Sequence, residues 1–205
     1  AFAAAAALFA LSLRGGLHET RVVLVGIGLA AAASAVTSAI LVRTDPWNQA
    51  KAITWLGGST YGTGAAQLVP LAVVLVASLL VLRGTSADLD VLQVDDATPR
   101  LLGLDPARSR MVALGLAVLL TGAATASIGV LAFVGLVAPH AARLLVGRRH
   151  RWLLPLSALL GGLLVVAADT VGRTVIAPSQ LPAGLVTSLV GAPYFLALLA
   201  RVRTR

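Results

Sequence analysis

Asp169 and Arg173 are the residues whose type and spacing come nearest to chemistry: opposite charges four apart, set in the apolar run from Leu153 to Ile176. That spacing puts both on one face of a helix. Intramembrane charges are costly and are usually paired or functional, so they predict an ion pair securing the end of that helix. The other candidates for chemistry are thin. His18, His140 and His150 stand far apart, none with the i, i+4 partner of a helical zinc site. Cysteine is absent, so no disulfide framework or thiolate metal site is available. Gly57 to Thr63 mimics part of a phosphate loop, but Thr63 stands where the essential lysine is needed and the chain's one lysine is Lys51. No metal, no cofactor and no nucleotide hydrolysis by that route are expected.

The elements that must position these residues belong to a bilayer. Hydrophobic residues make up 58% of the chain and charged ones 12%, where a globular domain carries about a quarter charged. The mean hydropathy is +0.93. A spanning helix takes about 20 mostly apolar residues. Six candidates follow: Val22 to Val42, Gln67 to Leu82, Met111 to Ala126, Ile128 to Val146, Leu153 to Ile176 and Ala183 to Ala200. Ala1 to Leu13 is too short and reads as the tail of a seventh, so the chain is expected to be the C-terminal portion of a longer one. The fold expected is an all-α polytopic bundle of about six full spans and one partial, a single transmembrane domain over residues 1–205.

Basic residues orient it. Cytoplasmic loops retain Lys and Arg, and placing the loop after Leu13 inside puts thirteen of the sixteen there, leaving Arg43, Lys51 and Arg173 outside. The C-terminus is then cytoplasmic. The net charge of +8 is therefore a topology signal, and nucleic acid is not an expected partner.

Two connections carry more than linkage. Arg43 to Ala66 holds Trp47, Trp55 and the run WLGGSTYGTG, which suits a short interfacial helix from Trp47 to Trp55, with a lid or gate as the alternative. Arg83 to Arg110 is long for a helix connection. Its leucines, among them Leu101 and Leu102, need a surface to cover them, which favours docking over solvated decoration. Short helices are expected around Asp88 to Val94 and Thr98 to Gly103, with Gly103 as a left-handed cap. Pro139 is expected to bend its helix near the inner mouth, and Gly161, Gly162 and Gly191 read as helix contacts.

The runs FVGLVAPHAARLLVG and RRHRWLLPLSALLGG, the Ala168, Asp169 and Arg173 pattern and PSQLPAGLVTSLVGAPYFLALL resemble the FecCD (BtuC-like) family. These are permease subunits of ABC importers for iron-siderophores, heme and vitamin B12. The resemblance implies a plasma-membrane protein that pairs with a second permease subunit around a central pathway, with cytoplasmic ABC ATPases beneath and an extracytoplasmic substrate-binding protein above. It further implies that residues 83–110 form the ATPase-coupling loop, with Pro99, Arg100, Leu101, Leu102 and Gly103 at its centre and Asp95 and Asp96 also among its residues, and that Arg173 receives an acid of the binding protein. A ferric siderophore is the implied cargo, and hydrolysis belongs to the partner. An ion-coupled secondary transporter and a nontransporting scaffold are the alternatives; against the first, Asp169 is the lone intramembrane acid.

Overall fold

The computed structural model describes residues 19–94, 98–175 and 180–202, and all of its regular structure among these is helical. The chain divides into two compact units, Ala1–Ile53 and Thr54–Arg205. In the first, α1 (Glu19–Val42) is apolar on every side, with Val23, Leu24, Ile27 and Val36 exposed. Such a surface suits hydrocarbon, not water. Beyond a turn, α2 (Pro46–Leu56) runs across the division between the units. Its start is set by Asp45, whose carboxylate accepts the N–H of Trp47 at 3.0 Å and of Asn48 at 3.2 Å, while Pro46 occupies a position where no N–H is needed. A short helix is therefore present where one was expected from Trp47 to Trp55, and the Lys51 ammonium lies 5.5 Å from the centre of the Trp47 ring.

The second unit contains α3 (Ala65–Val91), the single turn α4 (Thr98–Leu101), α5 (Pro106–Ile128), α6 (Val134–Val146), α7 (His150–Thr174) and α8 (Ala183–Val202). α6 and α7 form its closest hairpin, α3 packs along α5 and α7, and α8 packs on α6 and α7. Small side chains make this possible: Ala138 and Ala142 on α6, Gly161, Ala168 and Gly172 on α7, and Ala183 and Thr187 on α8 are buried. Without a hydrophobic drive between helices in lipid, close backbone approach supplies the attraction. Large apolar residues such as Leu159, Leu163, Val166 and Leu189 face outward instead.

Three expectations change. The span drawn from Ile128 to Val146 is broken: α5 runs on to Ile128, Gly129 takes φ +77° and Phe133 is left-handed at φ +65°. Only thirteen residues remain helical in α6, about 20 Å of rise against a hydrocarbon core of about 30 Å. Among the described residues, four helices are long and apolar enough to cross a membrane: Val23–Val42, Ala65–Val91, Pro106–Ile128 and His150–Thr174. Next, no separate helix forms at Asp88 to Val94. α3 runs on past the end of its apolar stretch to Val91, since no proline interrupts residues 83–91, and α4 and the turns around it lie between Val91 and Pro106. Finally, Gly162 faces open space and is not a helix contact in this chain, whereas Gly161 is. The incomplete span at Ala1 to Leu13 and His18 fall outside the described residues.

Candidate functional site

α7 carries a polar cluster at each end, about 30 Å apart by helical rise. At its C-terminal end the expected ion pair forms: the Arg173 Nε donates to the Asp169 Oδ2 at 2.7 Å. A third member joins it. The Thr60 hydroxyl donates to Asp169 Oδ1 and accepts from Arg173 Nη2 at 3.3 Å. Each carboxylate oxygen thus has a donor, while the Arg173 side chain remains 45% exposed. That leaves guanidinium N–H groups free for an external acceptor.

Thr60 reaches this place because its loop is tied down by backbone. Ser59 donates its N–H to the Ile128 carbonyl at 2.9 Å, Gly184 donates to the Gly58 carbonyl at 3.0 Å, and Leu181 donates to the Gly172 carbonyl at 3.0 Å. Glycine is required at the crossings. At Gly58, with φ +71°, a Cβ would collide with the Val130 carbonyl, and at Gly129 it would collide with that of Trp55. The Thr60 loop, the α5–α6 break and the start of α8 therefore form one rigid knot. Beside it lies an open depression of about 300 Å³ lined by Thr54, Ser59, Tyr61, Gln180 and Pro182. Phe133 is locked from the other side: its ring meets Phe195 at 6.5 Å between centroids, and it fills the space that a side chain at Gly191 would need.

At the other end, Asp90 at the close of α3 holds the start of α7. Its Oδ1 accepts the His150 backbone N–H at 2.8 Å and faces His150 Nδ1 at 2.7 Å. Gln93 Nε2 lies 3.1 Å from the Arg148 carbonyl and 3.0 Å from the same Nδ1. The ring proton belongs on Nδ1, toward the carboxylate, so the amide of Gln93 donates to Arg148.

The same end bears the short turn of α4. Pro99 is buried and its carbonyl accepts the Leu104 N–H at 2.9 Å. Gly103 has φ +78°, the left-handed cap expected of it, and Asp105 caps α5 by accepting from Ala107 and Arg108. Leu101 and Leu102 stand 86% and 64% exposed, with Arg100 exposed beside them. Asp95 and Asp96 lie outside the described residues. Pro139 sits inside α6, where it withholds an N–H from the Gly135 carbonyl, and His140 meets the Tyr194 ring edge-on at 6.0 Å. Sequence reasoning missed Thr60, Asp90 and Gln93. The polar run from Ser59 to Thr63 was a signal for the first; nothing local marked the others. Among the described residues no group of His, Cys, Asp or Glu is arranged to hold a metal.

Helices of this length and surface, with charge confined to their ends, define a multi-pass membrane protein. The FecCD transport family model matches residues 1–201, and the chain belongs to that family. It is 37% identical over 201 residues to the iron(3+)-hydroxamate import system permease protein FhuG of Bacillus subtilis (strain 168), covering 98% of this chain and 60% of that protein. The hemin transport system permease protein HmuU of Yersinia pestis is 39% identical, over 96% of this chain and 59% of its own length. The Fe(3+) dicitrate transport system permease protein FecD of Escherichia coli (strain K12) is 38% identical, over 97% and 62%. Among solved structures, a metal-chelate type ABC transporter in an inward-facing conformation superposes with a TM-score of 0.87 at 28% identity, over 98% of this chain and 64% of that one. The chain thus spans about three fifths of the length of these relatives.

Proposed function

We propose that this chain is the larger part of a permease subunit of an ATP-driven importer, and that the cargo is chelated ferric iron in the form of a siderophore. The relatives support the cargo class, since hydroxamate, hemin and dicitrate systems share a bulky iron chelate. Two such subunits enclose the pathway. Separate ATPase subunits on the cytoplasmic side supply the energy, and this chain hydrolyses nothing itself. The His150 end of the second unit faces the cytoplasm, the C-terminus lies on that side, and the membrane is the bacterial plasma membrane.

The observation that carries this reading is the α4 turn. A buried proline fixes the backbone while Leu101 and Leu102 project with none of the described residues covering them, the form a seat for a partner takes. Residues 83–110 act as the coupling loop, with Pro99 to Gly103 at its centre, and Asp95 and Asp96 flank it in sequence. Arg173, exposed beside its carboxylate, receives an acidic side chain of the extracytoplasmic binding protein. The test is a pull-down of the full-length permease from membranes. ATPase activity should copurify with the wild type and be lost with a Leu101→Ser, Leu102→Ser, Gly103→Ala triple variant that still inserts. No copurifying ATPase with a correctly inserted wild type would overturn the proposal.

A further inference from the structure

The turn between α6 and α7 has a property that transport does not use. From Arg143 to Trp152 the chain reads RLLVGRRHRW, with four arginines and no acid. We propose that Arg148, Arg149 and Arg151 form a headgroup site for an anionic phospholipid.

The turn is held in place from one side. Asp90 takes the His150 N–H and its ring nitrogen, and Gln93 takes the Arg148 carbonyl. Among the described residues the acid that reaches the turn is Asp90, which is hydrogen-bonded to His150 and near enough to Arg149 to feel its charge, and the backbone between α6 and α7 is pinned to α3. All three arginines are exposed. The Arg151 guanidinium lies 5.6 Å from the centre of the Trp152 ring, which is itself 58% exposed. Arginine's planar fork matches the oxygens of a phosphate and binds them through paired N–H groups.

The neighbours of these charges decide the occupant. Leu144 and Leu145, at the end of α6, are 74% and 69% exposed, and Trp152 follows the arginines directly. Tryptophan marks the depth of the lipid headgroups. An acidic protein surface would neutralise the guanidiniums and leave the leucines and the indole uncovered. A phospholipid satisfies both, with its phosphate at the arginines and its acyl chains along the apolar residues. Clusters of basic residues next to a span bind anionic lipid for this reason.

The test uses the full-length permease with its partner subunits in vesicles of equal parts phosphatidylglycerol and phosphatidylcholine, one of the two brominated at a time. Quenching attributable to Trp152 is the difference between the wild type and Trp152→Phe. Brominated phosphatidylglycerol should win over phosphatidylcholine by at least about fivefold, the ratio that even one of the three arginines contributes at an anionic surface. The preference should vanish in Arg148→Gln, Arg149→Gln, Arg151→Gln and survive in Arg43→Gln, and inorganic phosphate should not displace the lipid. Equal quenching by the two lipids in the wild type would overturn the site without reference to any variant. Displacement by phosphate would make it a simple anion site. Protection of Trp152 from both lipids by the ATPase would assign the surface to that partner. Either of these last results also overturns the proposal.

Discussion

Thr60 shows how one hydroxyl can organise a charged pair. Because it donates to Asp169 and accepts from Arg173, replacing it by valine removes two bonds to charged groups while keeping the side-chain volume. The cost should be about 1 kcal/mol in this partly exposed setting, read as a lowered unfolding midpoint in detergent. The same change should weaken binding-protein stimulation of ATPase activity, since Arg173 loses a fixed direction. Arg173→Glu should abolish stimulation while leaving assembly intact; unchanged stimulation would remove the docking role. The glycines are a sharper test of packing. At Gly161 an added methyl would meet Ala138 and Val134 at 3.6 Å, ordinary contact, whereas at Gly191 it would run into Phe133. Gly161→Ala should therefore be nearly neutral and Gly191→Ala should lose about 2 kcal/mol. Similar losses at the two positions would contradict the packing of α8 on the α5–α6 break.

Helices were legible where one local signal decided them. The apolar runs marked α1, α3, α5 and α7, the two tryptophans between Arg43 and Ala66 marked α2, and the i, i+4 spacing predicted the Asp169 and Arg173 pair. The break before α6 was not legible, because Gly129 and Phe133 are turned out of the helix by residues far away in sequence, through the crossings with Trp55, Gly58 and Gly191. The hold of Asp90 on His150 is equally remote, sixty positions along the chain. α2 offers a pH test of a local signal. The backbone N–H of Asn48, joined by its side-chain amide and the N–H of Trp47, holds the Asp45 carboxyl below the usual carboxylate value. A pKa depressed on folding means that the cap stabilises α2 above the unfolded carboxylate pKa and is lost as pH falls through the lower folded value. Amide exchange at Trp47 and Asn48 should therefore lose protection in acid. Asp45→Asn keeps an acceptor and should flatten the profile; an Asp45→Ala protein with the wild-type profile would show that the cap does not act.

At the scale of the whole molecule, orientation joins the parts, because it decides which partner each polar cluster can meet. Thirteen basic residues against three favour the His150 end inside, and the orientation we propose would put the α4 turn and the arginine turn on the cytoplasmic side with Arg173 on the other. The chain has no cysteine, so an introduced thiol in it reports alone. Tyr61 and Leu102 are suitable sites, 71% and 64% exposed and at opposite ends of the second unit. In intact cells of a strain whose full-length permease carries no other thiol, Tyr61→Cys should react with a membrane-impermeant maleimide, and Leu102→Cys should react only after permeabilisation. The reverse pattern would put Leu101 and Leu102 beyond the reach of a cytoplasmic ATPase and Arg173 beyond that of an extracytoplasmic binding protein, so the proposed seats would both fail. Labelling of the two sites from the same side would instead mean that α3 does not cross, which its 27 residues, about 40 Å of rise, make hard to accommodate in any other way.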